Sequence, residues 1–279
     1  ALHVLAYYIK KSFFPVVLVA DNSDFPVVQS FQDGRVAASL AVAFLLIVLL
    51  LLWMKQKKVY AFSLAFFLIT LLPVMQIIPH HELLAEHYLY IPSFGLCLMM
   101  GLCFKSLGEY SKRISSFTFL FFALICLFFS LRTLERNKDW ANEFTIYHKD
   151  LQVYPQNRRV HLVLGKAYMD AYLYDMAMRH FTVAVQGGKV FKEAYAYKSY
   201  ILYKRGEIAA AIAEAEKALS VGELDFARFN LGKYYQTMGD EQKALFHFHK
   251  VPAGRFLLPS AVYSFQIYQK QWDQVHADR

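Results

Sequence analysis

The side chains best suited to bind a ligand or to act in catalysis in the first half of the chain lie close together, between two long apolar runs. His80, His81 and Glu82 are followed by Glu86 and His87, in a chain in which only 19% of the residues are charged. Imidazole and carboxylate groups bind metal ions, phosphates and hydroxyl groups. The spacing of these residues matches no metal signature, so no metal site is expected. A polar stretch between apolar runs is instead typical of a boundary between membrane and water.

Two interpretations of this stretch remain open. In the first, it is a membrane-surface site for an anionic or lipid-linked substrate, and Glu86, His87, Tyr88 and Tyr90 contact that ligand. In the second, it is a polar loop that Tyr88 and Tyr90 anchor at the level of the lipid headgroups, where aromatic residues are enriched. Both interpretations require apolar helices on either side of it.

The composition of the 279-residue chain indicates a membrane portion beside a water-exposed portion. Apolar residues make up 57% of it, above the ~45–50% that is usual for soluble domains. The formal net charge of +8 is spread out, since residues 1–131 carry nine Lys/Arg and six Asp/Glu and the remainder 21 and 16. The sequence shows no concentrated basic face, which argues against nucleic acid as a partner. The three cysteines lie in apolar runs and show no disulfide or metal pattern.

Four apolar runs of bilayer-spanning length predict a transmembrane region over residues 36–131. Basic turns at 55–58 and 105–113 hold the local excess of lysine and arginine, which places these turns in the cytoplasm. The polar stretch and everything after the fourth run are therefore expected on the opposite side. The predicted spans are 36–54, 59–78, 90–107 and 114–131.

The pattern of the N-terminal part, residues 1–35, does not predict a further transmembrane span. Lys10 and Lys11 interrupt its apolar run, and a lysine at the centre of a span costs about 2.5–3.5 kcal/mol. The sequence predicts an interfacial helix that breaks before Pro15, followed by an extracytoplasmic loop.

From residue 137 onward the pattern changes to helix-turn-helix repeats. Leu164-Gly165 recurs as Leu231-Gly232, a separation of one 34-residue and one 33-residue repeat. This is the tetratricopeptide-repeat signature, in which small residues stand where paired helices approach each other. Gly206 and Gly239 mark the turn between the helices of a repeat, and Tyr172 takes this place in the first repeat.

These patterns together predict an all-α fold with polytopic membrane helices followed by a tetratricopeptide-repeat α-solenoid. The solenoid is expected to occupy a domain at 132–279. Tyrosines in the second repeat, Tyr195, Tyr197, Tyr200 and Tyr203, either line a peptide groove or pack between helices. The predicted repeats are about 158–191, 192–224 and 225–258, with a partial repeat after 259.

Three stretches of the sequence resemble one known family. The first is Phe14-Pro15 with the following Asp21, and the third is Arg136-Asn137-Lys138-Asp139-Trp140. The second and most specific is Ala-Glu-His-Tyr-Leu-Tyr-Ile-Pro-Ser at 85–93, which is similar to the family's Ala-Glu-Arg-Tyr-Leu-Tyr-Leu-Pro-Ser. They resemble the second half of the transmembrane and tetratricopeptide-repeat O-mannosyltransferases and their bacterial relatives, within the C-type glycosyltransferase superfamily.

The resemblance implies a multi-span enzyme that takes a sugar from a polyprenyl-phosphate carrier and transfers it to a protein hydroxyl. It implies an integral protein of the bacterial inner membrane or the endoplasmic reticulum, with the repeats on the periplasmic or lumenal side. Its implied partners are membrane lipid and a protein or peptide acceptor bound through the repeats. The implied donor is a polyprenyl-phosphate-linked sugar, with no covalently bound cofactor.

Catalytic residues stay unassigned. The family's catalytic acidic pair lies in a first extramembrane loop that follows a first span, and this chain has no such arrangement for Asp21, Asp24 or Asp33. His87 stands where the family often has arginine, so a charge there depends on pH near the imidazole reference pKa of about 6.5.

A non-enzymatic interpretation also remains open. The chain begins at Ala1 without an initiator Met or a signal peptide and is expected to be the downstream part of a longer protein. In the alternative, it is a membrane-anchored repeat protein that scaffolds an envelope or lumenal complex.

Overall fold

The computed structural model describes residues 2–25, 34–77, 84–109, 112–187 and 191–277. These residues form helices and no strand, which confirms the all-α prediction. The chain divides into two compact units, Ala1–Pro155 and Gln156–Arg279. The division differs from the boundary expected at 131/132, because one helix, Lys112–Asp139, runs without a break through that position.

The described part of the first unit contains six α-helices, three of which belong to segments long and apolar enough to cross a membrane. These segments are Gly34–Gln56, Glu86–Gly108 and Ser115–Asp139. Their outer faces are apolar and exposed, as lipid contact requires. The helices are α1 (Leu2–Phe13), α2 (Gly34–Gln56), α3 (Lys58–Leu71), α4 (Tyr90–Gly108), α5 (Lys112–Asp139) and α6 (Glu143–Val153).

The second predicted span is shorter in the structure than in the sequence pattern. Helix α3 ends at Leu71 and continues as a single 3₁₀ turn, Leu72–Val74, that contains Pro73. Proline has no N–H to continue the helical hydrogen-bond pattern, which explains the change. The end of the predicted run at residue 78 lies outside the described residues.

The core of the first unit lies where α1 meets α3 and α4. Tyr8, Phe67 and Leu71 are each almost completely buried there. Helices α3 and α4 cross very closely, since a Cβ atom on Gly95 would lie 2.5 Å from the carbonyl oxygen of Ser63. Only glycine permits this approach, which fixes α4 and the segment before it against α1 and α3.

The second unit is a row of paired helices, as expected for tetratricopeptide repeats. Helix α7 pairs with α8, α9 with α10, and α11 with α12, and α13 follows. The helices are α7 (Arg158–Asp170), α8 (Tyr174–Ala184), α9 (Lys192–Lys204), α10 (Ile208–Val221), α11 (Asp225–Thr237), α12 (Glu241–His249) and α13 (Leu257–Ala277).

Each pair is locked by a small residue on its first helix and a matching residue on its second. A Cβ on Gly165 would lie 2.6 Å from the ring of Phe181, and a Cβ on Gly232 would lie 2.5 Å from the ring of Phe248. In the middle repeat the equivalent positions hold Ser199 and Ala215, both fully buried. The larger first residue is thus matched by a smaller second one, which keeps the packing density uniform.

The turns inside the repeats require a left-handed backbone conformation. Gly206 and Gly239 both have φ of +82°. Tyr172 occupies the equivalent turn of the first repeat with φ of +61°, a conformation that is unfavourable for residues with a Cβ.

Candidate functional site

The centre of the candidate site is an ion pair between Glu86 and Arg136. Glu86 opens the 3₁₀ turn Glu86–Leu89, which leads into α4. The backbone N–H of Ala85 donates to the hydroxyl of the fully buried Tyr8, at 3.2 Å, and so holds the start of this turn against α1. Nη2 of Arg136 lies 3.3 Å and 3.2 Å from the two carboxylate oxygens of Glu86.

Arg136 also connects α5 to α6. Its Nη1 donates to Oδ2 of Asp139, at 3.1 Å, and Nζ of Lys149 lies 3.8 Å from Oδ1 of the same carboxylate. The guanidinium lies 5.7 Å from the ring centre of Trp140. Arg136 is only 8% exposed, so a buried cation is balanced by two carboxylates.

The irregular segment after α1 is held by side chains from other elements. Buried backbone groups need partners, and outside regular structure side chains supply them. Nη2 of Arg132 donates to the carbonyl oxygens of Pro15 and Val16, at 3.3 Å and 2.9 Å. The ammonium of Lys11 donates to the carbonyl of Val17, and the hydroxyl of Tyr7 to Oδ1 of Asn22.

Asp150 on α6 completes this arrangement. Its two carboxylate oxygens accept hydrogen bonds from the backbone N–H groups of Ala20 and Asp21, at 3.0 Å and 2.8 Å. The residue is fully buried. Burial disfavours the charged form and raises the pKa of Asp150 to about 6, although the two N–H donors and Arg136 act in the opposite direction.

These contacts bring the three family-like stretches together. The first contributes the backbone N–H of Val19, which donates to the carboxylate of Glu86 in the second, and Glu86 in turn pairs with Arg136 of the third. The stretches lie more than a hundred residues apart along the chain at their extremes, and all three belong to the first compact unit.

A small polar cavity of about 190 Å³ opens beside this cluster. Its walls include Val16, Arg132, Arg136, Asp139 and Lys149. The Nε atoms of Arg132 and Arg136 are buried, and neither has a hydrogen-bond partner among the described residues. A buried donor without a partner is energetically unfavourable, so an acceptor oxygen of a ligand would stabilise both side chains. The arrangement is suited to binding and orienting an anionic or hydroxyl-bearing group.

The predicted contact residues occupy different environments. Glu86 belongs to the cluster, whereas His87 is exposed and its ring lies 4.5 Å, centre to centre, from that of Tyr88. Tyr88 is half-buried against the α1–α3 core, and Tyr90 is 85% exposed. The structure therefore joins Glu86 to Arg136, and none of the four predicted contact residues lines the cavity.

Some predicted positions lie outside the described residues. His80, His81 and Glu82, the other members of the polar stretch, are among them, and so is Asp33. The expectation that these residues form no metal site therefore stays a prediction from the sequence.

Arg132 and Asp150 are two members of the cluster that the motif analysis missed, although both carry a signal in the sequence. Arg132 and Arg136 stand four residues apart at the end of an apolar run, a spacing that puts both on one helix face. Asp150 follows Ile146 by four residues, and these two are the buried residues of α6. A carboxylate four residues from a core-facing isoleucine lies on the same face of the helix, which indicates that it is a buried hydrogen-bond acceptor.

Comparison with solved structures gives weak matches only. A crystal structure of MamA covers 47% of this chain and 88% of its own, with 23% identity and a TM-score of 0.37. A second MamA structure covers 62% and 82%, with 19% identity and a TM-score of 0.41. The repeat fold is therefore established by the helix pairs of this chain itself.

Curated proteins give clearer matches, although no protein-family model matches the chain. Human protein O-mannosyl-transferase TMTC4 is 28% identical over 162 residues, which is 56% of this chain and 22% of that protein. Protein O-mannosyl-transferase Tmtc2 of Drosophila melanogaster is 32% identical over 36% of this chain and 11% of its own length. A Caenorhabditis elegans protein O-mannosyl-transferase is 31% identical over 44% and 18%. The chain matches less than a quarter of each relative, and over that part these proteins confirm the resemblance to the O-mannosyltransferase family that the sequence motifs indicate.

Proposed function

We propose that this chain is part of a protein glycosyltransferase, in which the first unit binds a polyprenyl-phosphate-linked sugar and the repeats bind the protein acceptor. The observation that carries the proposal is the meeting of the three family-like stretches at the Glu86–Arg136 ion pair, beside a cavity with two unsatisfied arginine donors. The similarity to named protein O-mannosyl-transferases supports the reaction class.

The surroundings of the arginines suit a ligand with an anionic head and a long apolar tail. Arg132 and Arg136 continue directly from the apolar run of α5, on which Leu131 and Leu134 are 57% and 62% exposed. A prenyl chain lying along α5 would bring its phosphate to the guanidinium groups. Hydrogen bonds from guanidinium to phosphate are charge-assisted, and arginine remains protonated at all relevant pH values.

The chemistry of transfer explains why positive charge belongs here. When the sugar is transferred, the hydroxyl oxygen of the acceptor forms a bond to the anomeric carbon and its proton passes to solvent. The bond from the anomeric carbon to the carrier phosphate oxygen breaks, and the carrier leaves with additional negative charge. Arg132 and Arg136 would stabilise that charge. Glu86 acts as a positioning residue, because it holds Arg136 through Nη2, while the Nε atom of Arg136 has no hydrogen-bond partner among the residues that the structure describes.

Contact of the carrier with His87, Tyr88 and Tyr90 remains part of the proposal. His87 and Tyr90 are exposed and lie within four residues of Glu86, so they are available to a lipid headgroup. A protonated His87 would add a second charge-assisted bond to phosphate.

The proposed sidedness follows from charge. The Lys55–Lys58 and Lys105–Arg113 turns are taken as cytoplasmic, and the repeats then lie on the periplasmic or lumenal side, where carrier-linked sugars would meet protein acceptors.

Binding of a short prenyl phosphate tests the donor site. The full chain in phospholipid nanodiscs would be titrated with farnesyl phosphate. Farnesol, which has the apolar chain without the phosphate, and inorganic phosphate, which lacks the chain, would be titrated separately. Arg132→Gln is expected to weaken farnesyl phosphate binding roughly tenfold, the effect of losing one charge-assisted hydrogen bond. Lys138→Gln, an exposed cation on the same helix, serves as the control.

Two outcomes would contradict the donor site. One is unchanged affinity in Arg132→Gln, and the other is equal binding of farnesyl phosphate and farnesol. Complete absence of farnesyl phosphate binding would favour the alternative, a non-enzymatic membrane-anchored scaffold.

A further inference from the structure

A continuous row of aromatic rings crosses the repeat unit from α9 to α13. The ring of Phe226 on α11 lies 5.7 Å from that of Tyr197 and 6.2 Å from that of Tyr200, both on α9. On its other side it lies 5.9 Å from Phe256, just before α13. Phe229 continues the row, 5.3 Å from Phe256 and 5.8 Å from Tyr263. Tyr203 joins it through Lys233, which lies over its ring, and not through a ring contact. We call these half-buried residues the aromatic row: Tyr197, Tyr200, Tyr203, Phe226, Phe229, Phe256 and Tyr263.

Two lysines stand over this row without a carboxylate partner. Nζ of Lys233 lies 6.0 Å, 5.8 Å and 5.6 Å from the ring centres of Tyr203, Phe229 and Tyr263, and Nζ of Lys204 lies 5.5 Å from that of Tyr200. Among the described residues, neither forms an ion pair, whereas Lys198 of the same unit is paired with Glu214. The row therefore presents positive charge that no carboxylate in the described part of the chain neutralises.

A buried amide on the same helix lacks an acceptor. Asn230 is 4% exposed, and its Nδ2 has no hydrogen-bond partner among the described residues. It lies four residues after Phe226 and three before Lys233, so it belongs to the same part of the α11 surface. A buried amide donor without an acceptor is unfavourable and indicates that a ligand supplies a carbonyl.

We propose that the aromatic row binds an extended polypeptide segment rich in acidic side chains, with its carboxylates at Lys204 and Lys233 and a backbone carbonyl at Asn230. This deepens the proposed function, since it gives the chemistry of the protein acceptor that the repeats would take. The half-buried rings supply apolar contact area for the side chains between the acidic ones.

The geometry favours a polypeptide over other polyanions. An extended chain presents a carbonyl at every residue, about 3.3 Å apart, and side chains that alternate between its two faces. It can therefore reach the buried amide of Asn230, the half-buried Lys233 and the exposed Lys204 together. Lys233 is already held by three rings, so little side-chain freedom is lost when it binds a carboxylate. Nucleic acid supplies phosphates but requires a denser basic surface than two lysines.

Peptide binding to the full chain in nanodiscs tests the proposal. Three fluorescein-labelled peptides of equal length would be compared by anisotropy, one alternating Glu with Val, one Gln with Val and one Lys with Val. The Glu peptide is expected to bind most tightly and to weaken as salt is raised. The Lys204→Gln/Lys233→Gln double variant is expected to bind it roughly three- to tenfold more weakly, the range for two charge pairs at the protein surface.

Matched controls separate this surface from general charge effects. Lys250 lies over the Phe246 ring, at 4.2 Å, on the other helix of its repeat, and Lys250→Gln should leave peptide affinity unchanged. Asn230→Leu should weaken the Glu and Gln peptides by the same factor, because it removes a contact to backbone.

Four results would overturn the proposal: equal affinity for the Glu and Gln peptides, unchanged affinity in the double lysine variant, an equal loss in Lys250→Gln, or equal binding of a single-stranded oligonucleotide of the same charge. None of these measurements depends on prenyl phosphate. A negative result for peptide binding therefore does not contradict the proposed donor site, and a negative result for prenyl phosphate binding does not contradict the proposed peptide surface.

Discussion

Glu86 and Arg136, fifty residues apart in the chain, meet through one guanidinium nitrogen that donates to both carboxylate oxygens. Arg136 is the more deeply buried partner, with a side chain that is 9% exposed against 25% for Glu86. Removing Glu86 therefore leaves a buried cation whose remaining ion-pair partner among the described residues is Asp139. The pair connects the start of α4 to the end of α5, and its loss is expected to loosen the whole cluster.

Glu86→Ala should lower the free energy of unfolding of the full chain by about 3 kcal/mol, the effect of breaking a largely buried ion pair. Denaturant unfolding in nanodiscs measures this loss. Glu135→Ala is the control, because Glu135 pairs with Arg132 through a side chain that is 63% exposed. The control should change stability by less than about 1 kcal/mol. Equal losses in the two variants would show that Glu86 does not anchor the cluster.

Asp150 should make stability fall as pH rises. Burial raises its pKa from the ordinary value of 3.8 to about 6, so between these values the folded protein holds a proton that the unfolded chain has lost. Each unit of pKa difference corresponds to about 1.4 kcal/mol. The free energy of unfolding of the parent protein should therefore decrease between pH 4 and pH 6. This decrease should be roughly 2 kcal/mol larger than in Asp150→Asn, which has no titrating group at this position. Parallel pH profiles of the two proteins would refute the assignment.

The pairing of Gly165 with Phe181 predicts a rescue between the two positions. Gly165→Ser should overpack the helix pair by about 1–3 kcal/mol, and Phe181→Ala should leave a cavity that costs about 3–5 kcal/mol. The double variant reproduces the Ser199–Ala215 pair of the middle repeat. Its destabilisation should be smaller than the sum of the single effects by at least about 1 kcal/mol. Additive effects in this double-mutant cycle would mean that the two side chains do not share the same space.

Tyr172→Gly should stabilise the first repeat. Tyr172 is held at a φ of +61°, where a residue with a Cβ is disfavoured by about 1 kcal/mol or more relative to glycine. Its side chain is 77% exposed, so little packing is lost. Gly206→Ala, the reverse change in the second repeat, should destabilise by a similar amount. A lower melting temperature for Tyr172→Gly would count against this account.

The orientation of the chain is testable by labelling single cysteines in intact cells. After Cys97, Cys103 and Cys126 are replaced by serine, a cysteine at Lys57 should resist a membrane-impermeant maleimide, and one at the exposed turn residue Glu207 should react. Permeabilised cells, in which both positions should react, provide the control. Reaction at 57 but not at 207 would reverse the proposed topology.

The helices and repeats could be predicted because their signals are local. The recurrence of Leu164-Gly165 at Leu231-Gly232 depends on spacing alone, and the structure pairs the helices accordingly. The contact between Glu86 and Arg136 depends instead on how α1, α4 and α5 pack, which no local pattern reports. The sequence suggested that His87 would act beside Glu86. In the 3₁₀ turn, however, consecutive side chains point about 120° apart, so Glu86 lies in the cluster while His87 faces outward.

The continuity of α5 links the candidate site to the thickness of the bilayer. Its 28 residues make a rod about 42 Å long, whereas the hydrocarbon layer is about 30 Å thick. The apolar run and Arg132 and Arg136 therefore move as one body, without a hinge between them. In a thinner bilayer α5 would tilt, and the guanidinium groups would tilt with it. Lipid composition would in this way act on the depth and angle at which the arginines are presented, even where no lipid touches them.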